Sequence, residues 1–113
     1  MAKPVPAYTD ADVARVLARD YATALREART VLASYGKETW QPEPIRVHMA
    51  CLKLAAGNVA ELEQYVQRAC VDYRDVLAWA EYPAYMKADT PEARGEAMEA
   101  DRRQLQEWLH RGK

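Results

Sequence analysis

The sequence predicts an all-α fold, an antiparallel bundle of four helices, and three observations carry that reading. Half of the 113 residues are apolar and 29% are charged, with only four glycines, the balance of a packed helical chain rather than a disordered one. Apolar residues recur at three- and four-residue steps over long stretches, and nothing shows the alternation of a half-buried strand. Breakers gather in a linker at 36–43, at Gly57–Asn58 and in a connection at 83–90, which leaves four periodic segments. One domain with one core is the expectation at this length. Residues 1–9 read as a flexible N-terminal segment.

The first helix is expected from Asp10 to Tyr35. Thr9 and Asp12 have the spacing of a capping box, and Gly36 supplies a left-handed stop. Val13, Leu17, Tyr21, Ala24, Ala28, Val31 and Tyr35 form one apolar stripe. In the linker that follows, "GKETWQPE", Trp40 is expected to fold back over the core as a lid, because an exposed indole forfeits burial. The second helix, Pro44 to Ala56, is apolar almost all round, and only Arg46 and Lys53 mark a polar stripe. Such a helix belongs in the middle of a bundle.

Gly57 as C-cap and Asn58 as the next N-cap make helices two and three a tight antiparallel hairpin at the centre of the fold. Val59, Leu62, Val66, Ala69, Tyr73, Val76 and Ala80 give helix three its core stripe, flanked by Tyr65, Cys70 and Leu77. It stops at Tyr82, since Pro83 disfavours a helical residue before it. Thr90 and Pro91 then read as N-cap and first position of a fourth helix reaching His110. Its glutamates come early and its arginines late, as the helix dipole favours. Its apolar stripe, Met98, Leu105, Trp108 and Leu109, is thin, so this helix is expected at the periphery, with a face available to a partner.

Net charge is −1, which gives no global attraction to nucleic acid or to an anionic membrane. No apolar run approaches the roughly 18 residues needed to span a bilayer, and the N-terminus lacks the apolar region of a secretion signal, so a cytoplasmic protein is expected. Cys51 and Cys70 stand without a Cys-x-x-Cys partner and fall in apolar helical phases, where a thiol acts as a small hydrophobe.

Few chemistries survive the residue inventory. Glu107 and His110 have the Glu-x-x-His spacing of di-iron bundles but no second such pair, so neither a metal nor any other cofactor is expected. Ser34, the only serine, lacks a Gly-x-Ser-x-Gly context, and no Gly-rich phosphate loop is present. His48 shares a side of helix two with Cys51, Leu52 and Ala55, opposite Arg46 and Lys53. It is therefore expected to be buried, to need a hydrogen-bond partner, and to titrate below an ordinary histidine.

"DYRDVLAWAEYP", residues 72–83, is the densest stretch of polar and aromatic groups. On a continuous helix Tyr73, Val76 and Ala80 face the core, while Glu61, Arg68, Asp72, Asp75 and Trp79 share a face about a third of a turn away. Arg68 and Asp72 have i,i+4 spacing, worth a few tenths of a kcal/mol (~0.3) on a surface. Arg74 and Glu81 lie too far apart to pair with each other, and are placed to bridge to another helix.

Within 47–87, the "LKLAAGN" turn, the apolar helix leading into "DYRDVLAWAEYPAY" and the Trp- and Pro-bearing linker ahead of them resemble a group of small proteobacterial proteins of no assigned activity. The resemblance covers a little over a third of the chain and implies a bacterial helical domain. No residue inherits a role from it.

The leading expectation is a non-enzymatic protein-interaction module, a homodimer or a small adaptor, using Asp72, Asp75, Trp79, Tyr82 and Tyr85 with Met98, Leu105 and Trp108 of the last helix. The alternative is a small-ligand binder or enzyme with a pocket between helices around His48 and Tyr73. Nucleic-acid binding through Arg102, Arg103, Arg111 and Lys113 is disfavoured by the interspersed Glu99, Asp101 and Glu107.

Overall fold

A computed structural model describes residues 7–112, so most of the segment expected to be flexible, and Lys113, lie outside the described residues. Six helices follow in order: α1 (Asp10–Asp20), α2 (Leu25–Leu32) after a 3-10 turn at Ala22–Ala24, α3 (Pro44–Ala55), α4 (Val59–Glu81), α5 (Pro83–Lys87) and α6 (Pro91–His110). The all-α class holds, and no strand occurs among the described residues. Tyr8 packs against the core and Thr9 caps α1: its hydroxyl accepts from the Asp12 amide at 3.2 Å, and the Asp12 carboxylate accepts from the Thr9 amide at 3.0 Å. The chain is therefore fixed before residue 10.

A single first helix from Asp10 to Tyr35 does not form. Tyr21 (φ −124°, ψ 25°) and Ala24 (φ −139°, ψ 37°) leave the helical region and bend the chain, so that α1 lies against α3 and α2 against α4. Tyr21 drives the bend. Its ring is 1% exposed, and its hydroxyl donates to the Leu52 carbonyl of α3 at 2.9 Å. Periodicity alone could not show this, because the stripe keeps its rhythm through the bend.

The expected α3–α4 hairpin is present and central. Val47, Met49, Ala50, Cys51, Leu52 and Ala55 of α3 are buried, opposite Leu62, Val66, Ala69 and Val76 of α4. Ala56 ends α3 in a left-handed conformation (φ 50°), Gly57 follows at φ 91°, and the Asn58 side chain accepts from the Glu61 amide at 2.9 Å. Arg46 departs from its expected place on a solvated stripe. Its guanidinium grips Glu81 of α4 through Nε–Oε2 (2.8 Å) and a second, parallel contact, with Glu81 only 7% exposed. Glu81 thus makes the inter-helix bridge expected of it, and Arg74 does not.

Trp40 is no lid. It is 63% exposed, and Gln41 takes the buried place instead. The Gln41 side-chain oxygen accepts from the amides of Gly36 (2.8 Å) and Glu38 (3.1 Å), and the Tyr35 hydroxyl donates to the Pro42 carbonyl at 2.8 Å. A loop turned over a core must first satisfy its own backbone groups. A glutamine amide does so, and an indole offers a single donor.

Helix α6 is half peripheral. Its first two turns are largely exposed, but Leu105, Trp108 and Leu109 are buried in the common core. Two arginines of α1 hold its C-terminal carbonyls: Arg19 donates to those of Trp108 (2.7 Å) and Arg111 (3.0 Å), and Arg15 to that of Leu109. Cations at a helix C-terminus satisfy both the unpaired carbonyls and the dipole. No helix among the described residues is long and apolar enough to cross a membrane.

Candidate functional site

The most distinctive local feature is a break inside α4. Asp72 sits at φ −153°, ψ 99°, outside helical geometry, and its carboxylate accepts from the Arg74 amide at 3.1 Å. It acts as an internal N-cap for the second half of the helix. The Arg74 guanidinium wraps back on the same carboxylate (2.9 and 3.0 Å), and this hydrogen-bonded pair holds the Asp72 carboxyl below its usual range. Arg68 then bypasses Asp72 and pairs with Asp75, which replaces the expected Arg68–Asp72 pair. A sequence signal was available: Asp72 and Asp75 repeat the Thr9–Asp12 spacing of a helix start, in the middle of an unbroken apolar stripe.

Beyond the break, α4, α5 and the start of α6 surround a cleft of about 590 Å³. Asp72, Arg74, Asp75 and Ala78 line it from α4; Tyr82, Tyr85, Met86 and Ala88 from the turn and α5; Arg94 from α6. Tyr82 and Tyr85 meet edge to face at 6.2 Å, and Met86 is 56% exposed. Asp72 and Asp75 are each engaged by an arginine, whereas Arg94 makes no ion pair among the described residues.

The cleft keeps its shape through a residue that pattern reading passed over. Asp101 of α6 is 5% exposed, and its carboxylate accepts from the amides of Ala84 (3.1 Å) and Tyr85 (2.9 Å). Helix α5 begins on Pro83 with no side-chain cap of its own, so its first amides need an external acceptor. A helix start that lacks a Ser, Thr, Asp or Asn at its N-cap is the cue for such a remote carboxylate.

Of the eight residues expected on an interaction surface, four line this one cleft: Asp72, Asp75, Tyr82 and Tyr85. Trp79 is 42% exposed on a neighbouring face, edge to face with Tyr65 at 6.4 Å. Met98 is half-buried. Leu105 and Trp108, each 5% exposed, are core residues and leave the candidate surface. Their burial follows from the docking of the α6 end onto α1, which a thin stripe did not reveal.

His48 and Tyr73 are half-buried against the core. His48 Nε2 lies 2.8 Å from the Tyr35 carbonyl, an acceptor only, so Nε2 carries the hydrogen. Burial pushes its pKa below that of an ordinary histidine. The unfolded chain then takes up the proton first, so stability is held above the unfolded value of about 6.5 and lost as pH falls through it. Urea midpoints should therefore drop between pH 7.5 and 5.5, and the drop should shrink in His48→Gln; equal slopes for the two proteins would contradict this.

The remaining candidates are dispersed. Cys51 is buried, and burial raises its thiol to about 12, far from a thiolate nucleophile. His110 turns to the Gln106 side chain at 3.2 Å, and among the described residues no three histidines, cysteines or carboxylates gather in a way that would hold a metal ion. Arg102 pairs with Glu99 at 3.1 Å, while Arg111 sits at the far end of α6. No family model, curated protein or solved structure matches the chain.

Proposed function

We propose that the chain is a non-enzymatic protein-interaction module whose contact surface is the cleft beyond the Asp72 break. The observation that carries this reading is the composition of the cleft: two tyrosines, an exposed methionine and an uncompensated arginine beside two aspartates. Aromatic residues, Met and Arg dominate the buried centres of protein interfaces. Both charge signs occur within it, so a two-fold related copy can set its Arg94 against Asp72 or Asp75 of the first, and reciprocally. A homodimer is thus the form to test first, with a small adaptor for another protein as the other.

Size-exclusion chromatography with light scattering at two concentrations reads this directly. The expected mass is twice that of the chain. Met86→Glu and Arg94→Glu should each weaken the dimer by at least about 30-fold, the effect of losing some 2 kcal/mol at an interface centre. Unchanged helicity would show that they act on the surface. A single-chain mass at both concentrations rules out the homodimer, and a dimer indifferent to both substitutions would place the interface elsewhere.

A further inference from the structure

A second cleft, of about 450 Å³, opens where the C-terminal ends of α3 and α6 meet α1. Arg19, Asp20, Lys53, Gln104, Trp108 and Arg111 line it, three cations against one carboxylate. That carboxylate is fully engaged: Asp20 takes both arms of Arg19, Nε–Oδ1 and Nη2–Oδ2, at 2.8 Å each. Arg19 Nη1 donates to the carbonyls of Trp108 and Arg111, and the guanidinium stacks 5.3 Å from the centre of the Trp108 ring.

Two positive charges are left over. The carbonyl end of α6 is already held by Arg15 and Arg19, and at the end of α3 the Leu52 carbonyl receives the Tyr21 hydroxyl and the Ala56 amide. The side chains of Lys53 and Arg111 cap neither helix: among the described residues neither side chain makes a hydrogen bond or an ion pair. Lys53 is half-buried, and burial pushes its ammonium below the usual lysine range, against the opposing pull of Asp101. No buried side-chain nitrogen among the described residues lacks a partner, so the Lys53 ammonium meets solvent in the cleft. An ammonium partly stripped of water, with Asp101 acting on it only from beyond contact distance, gains from an anion placed in the cleft.

We propose that this cleft binds the oxyanion group of a small molecule, a phosphate or a carboxylate, with Lys53 and Arg111 as its charged contacts and the Gln104 amide as a neutral donor. The site is separate from the cleft beyond the α4 break and owes nothing to the interaction reading. Its volume suits a compact ligand, and the Arg19–Trp108 stack gives it a fixed wall.

Isothermal titration calorimetry with inorganic phosphate and with malonate, at ionic strength held constant by sodium chloride, tests the site on the intact chain. Saturable one-to-one binding of at least one probe is expected, and which probe binds identifies the source of the oxyanion. Lys53→Met keeps the packed stem and removes the charge. It should weaken binding at least about tenfold, as should Arg111→Ala, the loss expected for a charged hydrogen bond. Arg103→Ala, exposed and outside the cleft, should leave binding unchanged. Arg111→Ala carries the test if Lys53→Met fails to fold, because Arg111 is exposed in the last turn. Absence of saturable heat from both probes at concentrations on the order of 10 mM would overturn the proposal. So would binding that survives the substitutions.

Discussion

Glu81→Ala loses about 3–5 kcal/mol of folding stability, a large part of the roughly 5–15 kcal/mol that holds a domain of this kind together. The side chain of Glu81 is 5% exposed and that of Arg46 is 17% exposed, so water screens their fork-to-fork contact far less than it would a surface pair. The hydrogen bonds that Arg46 donates to the Glu81 carboxylate also hold its guanidinium well above its usual pKa. Removing the carboxylate strands a guanidinium beside the core, with Glu43 as its remaining carboxylate at 3.2 Å. The cost comes from leaving the half-buried guanidinium with only the exposed Glu43 as counter-charge, more than from the lost attraction. Accordingly, Arg46→Met combined with Glu81→Leu should restore much of what the single change loses. Urea unfolding with a double-mutant cycle measures both. A single-variant loss under about 1 kcal/mol would mean that the pair is solvated like any surface salt bridge.

Gly57→Ala is expected to cost about 2–4 kcal/mol, combining left-handed strain with overpacking. Gly57 has φ 91°, and a Cβ there would lie 2.9 Å from the Asp20 backbone carbonyl. That neighbour is main chain at the end of α1, so it cannot rotate aside as a side chain would. The adjacent residue gives the opposite sign: Ala56 already occupies the left-handed region at φ 50°, and Ala56→Gly should raise stability by about 1 kcal/mol. Thermal or urea unfolding of the two variants reads the contrast. Similar effects at both positions would show that the turn does not hold these conformations.

Which parts of the fold were legible follows from where the information lies. The hairpin was readable because Gly57, Asn58 and two apolar stripes are all local signals. The Thr9–Asp12 box and the Thr90–Pro91 start were readable for the same reason. The bend at Tyr21 and the burial of Gln41 were not, because each is decided by a distant carbonyl or by loop amides that no periodicity records. At the cleft, Asp72, Asp75, Tyr82 and Tyr85 stood out as a local concentration of polar and aromatic residues. Met86, Arg94 and Asp101 did not, since α5 and α6 bring them there from up to 29 positions beyond Asp72. Lys53 reads from the sequence as one point on a polar stripe, whereas its surroundings are made by the ends of two other helices.

The break at Asp72 also bears on how the molecule opens. Helical order is not continuous along α4, so cooperativity does not pass freely through its backbone. The hairpin half, buried between α2 and α3, belongs to the last amides to exchange with solvent. The half beyond Asp72 shares the common core through Val76, Leu77 and Ala80, and its far end is held by the Arg46–Glu81 pair and, through α5, by the Asp101 carboxylate. It should open ahead of the hairpin half, so the amides around Tyr85 and Met86 should exchange faster than those of Leu62 and Val66, and a bound partner would slow them.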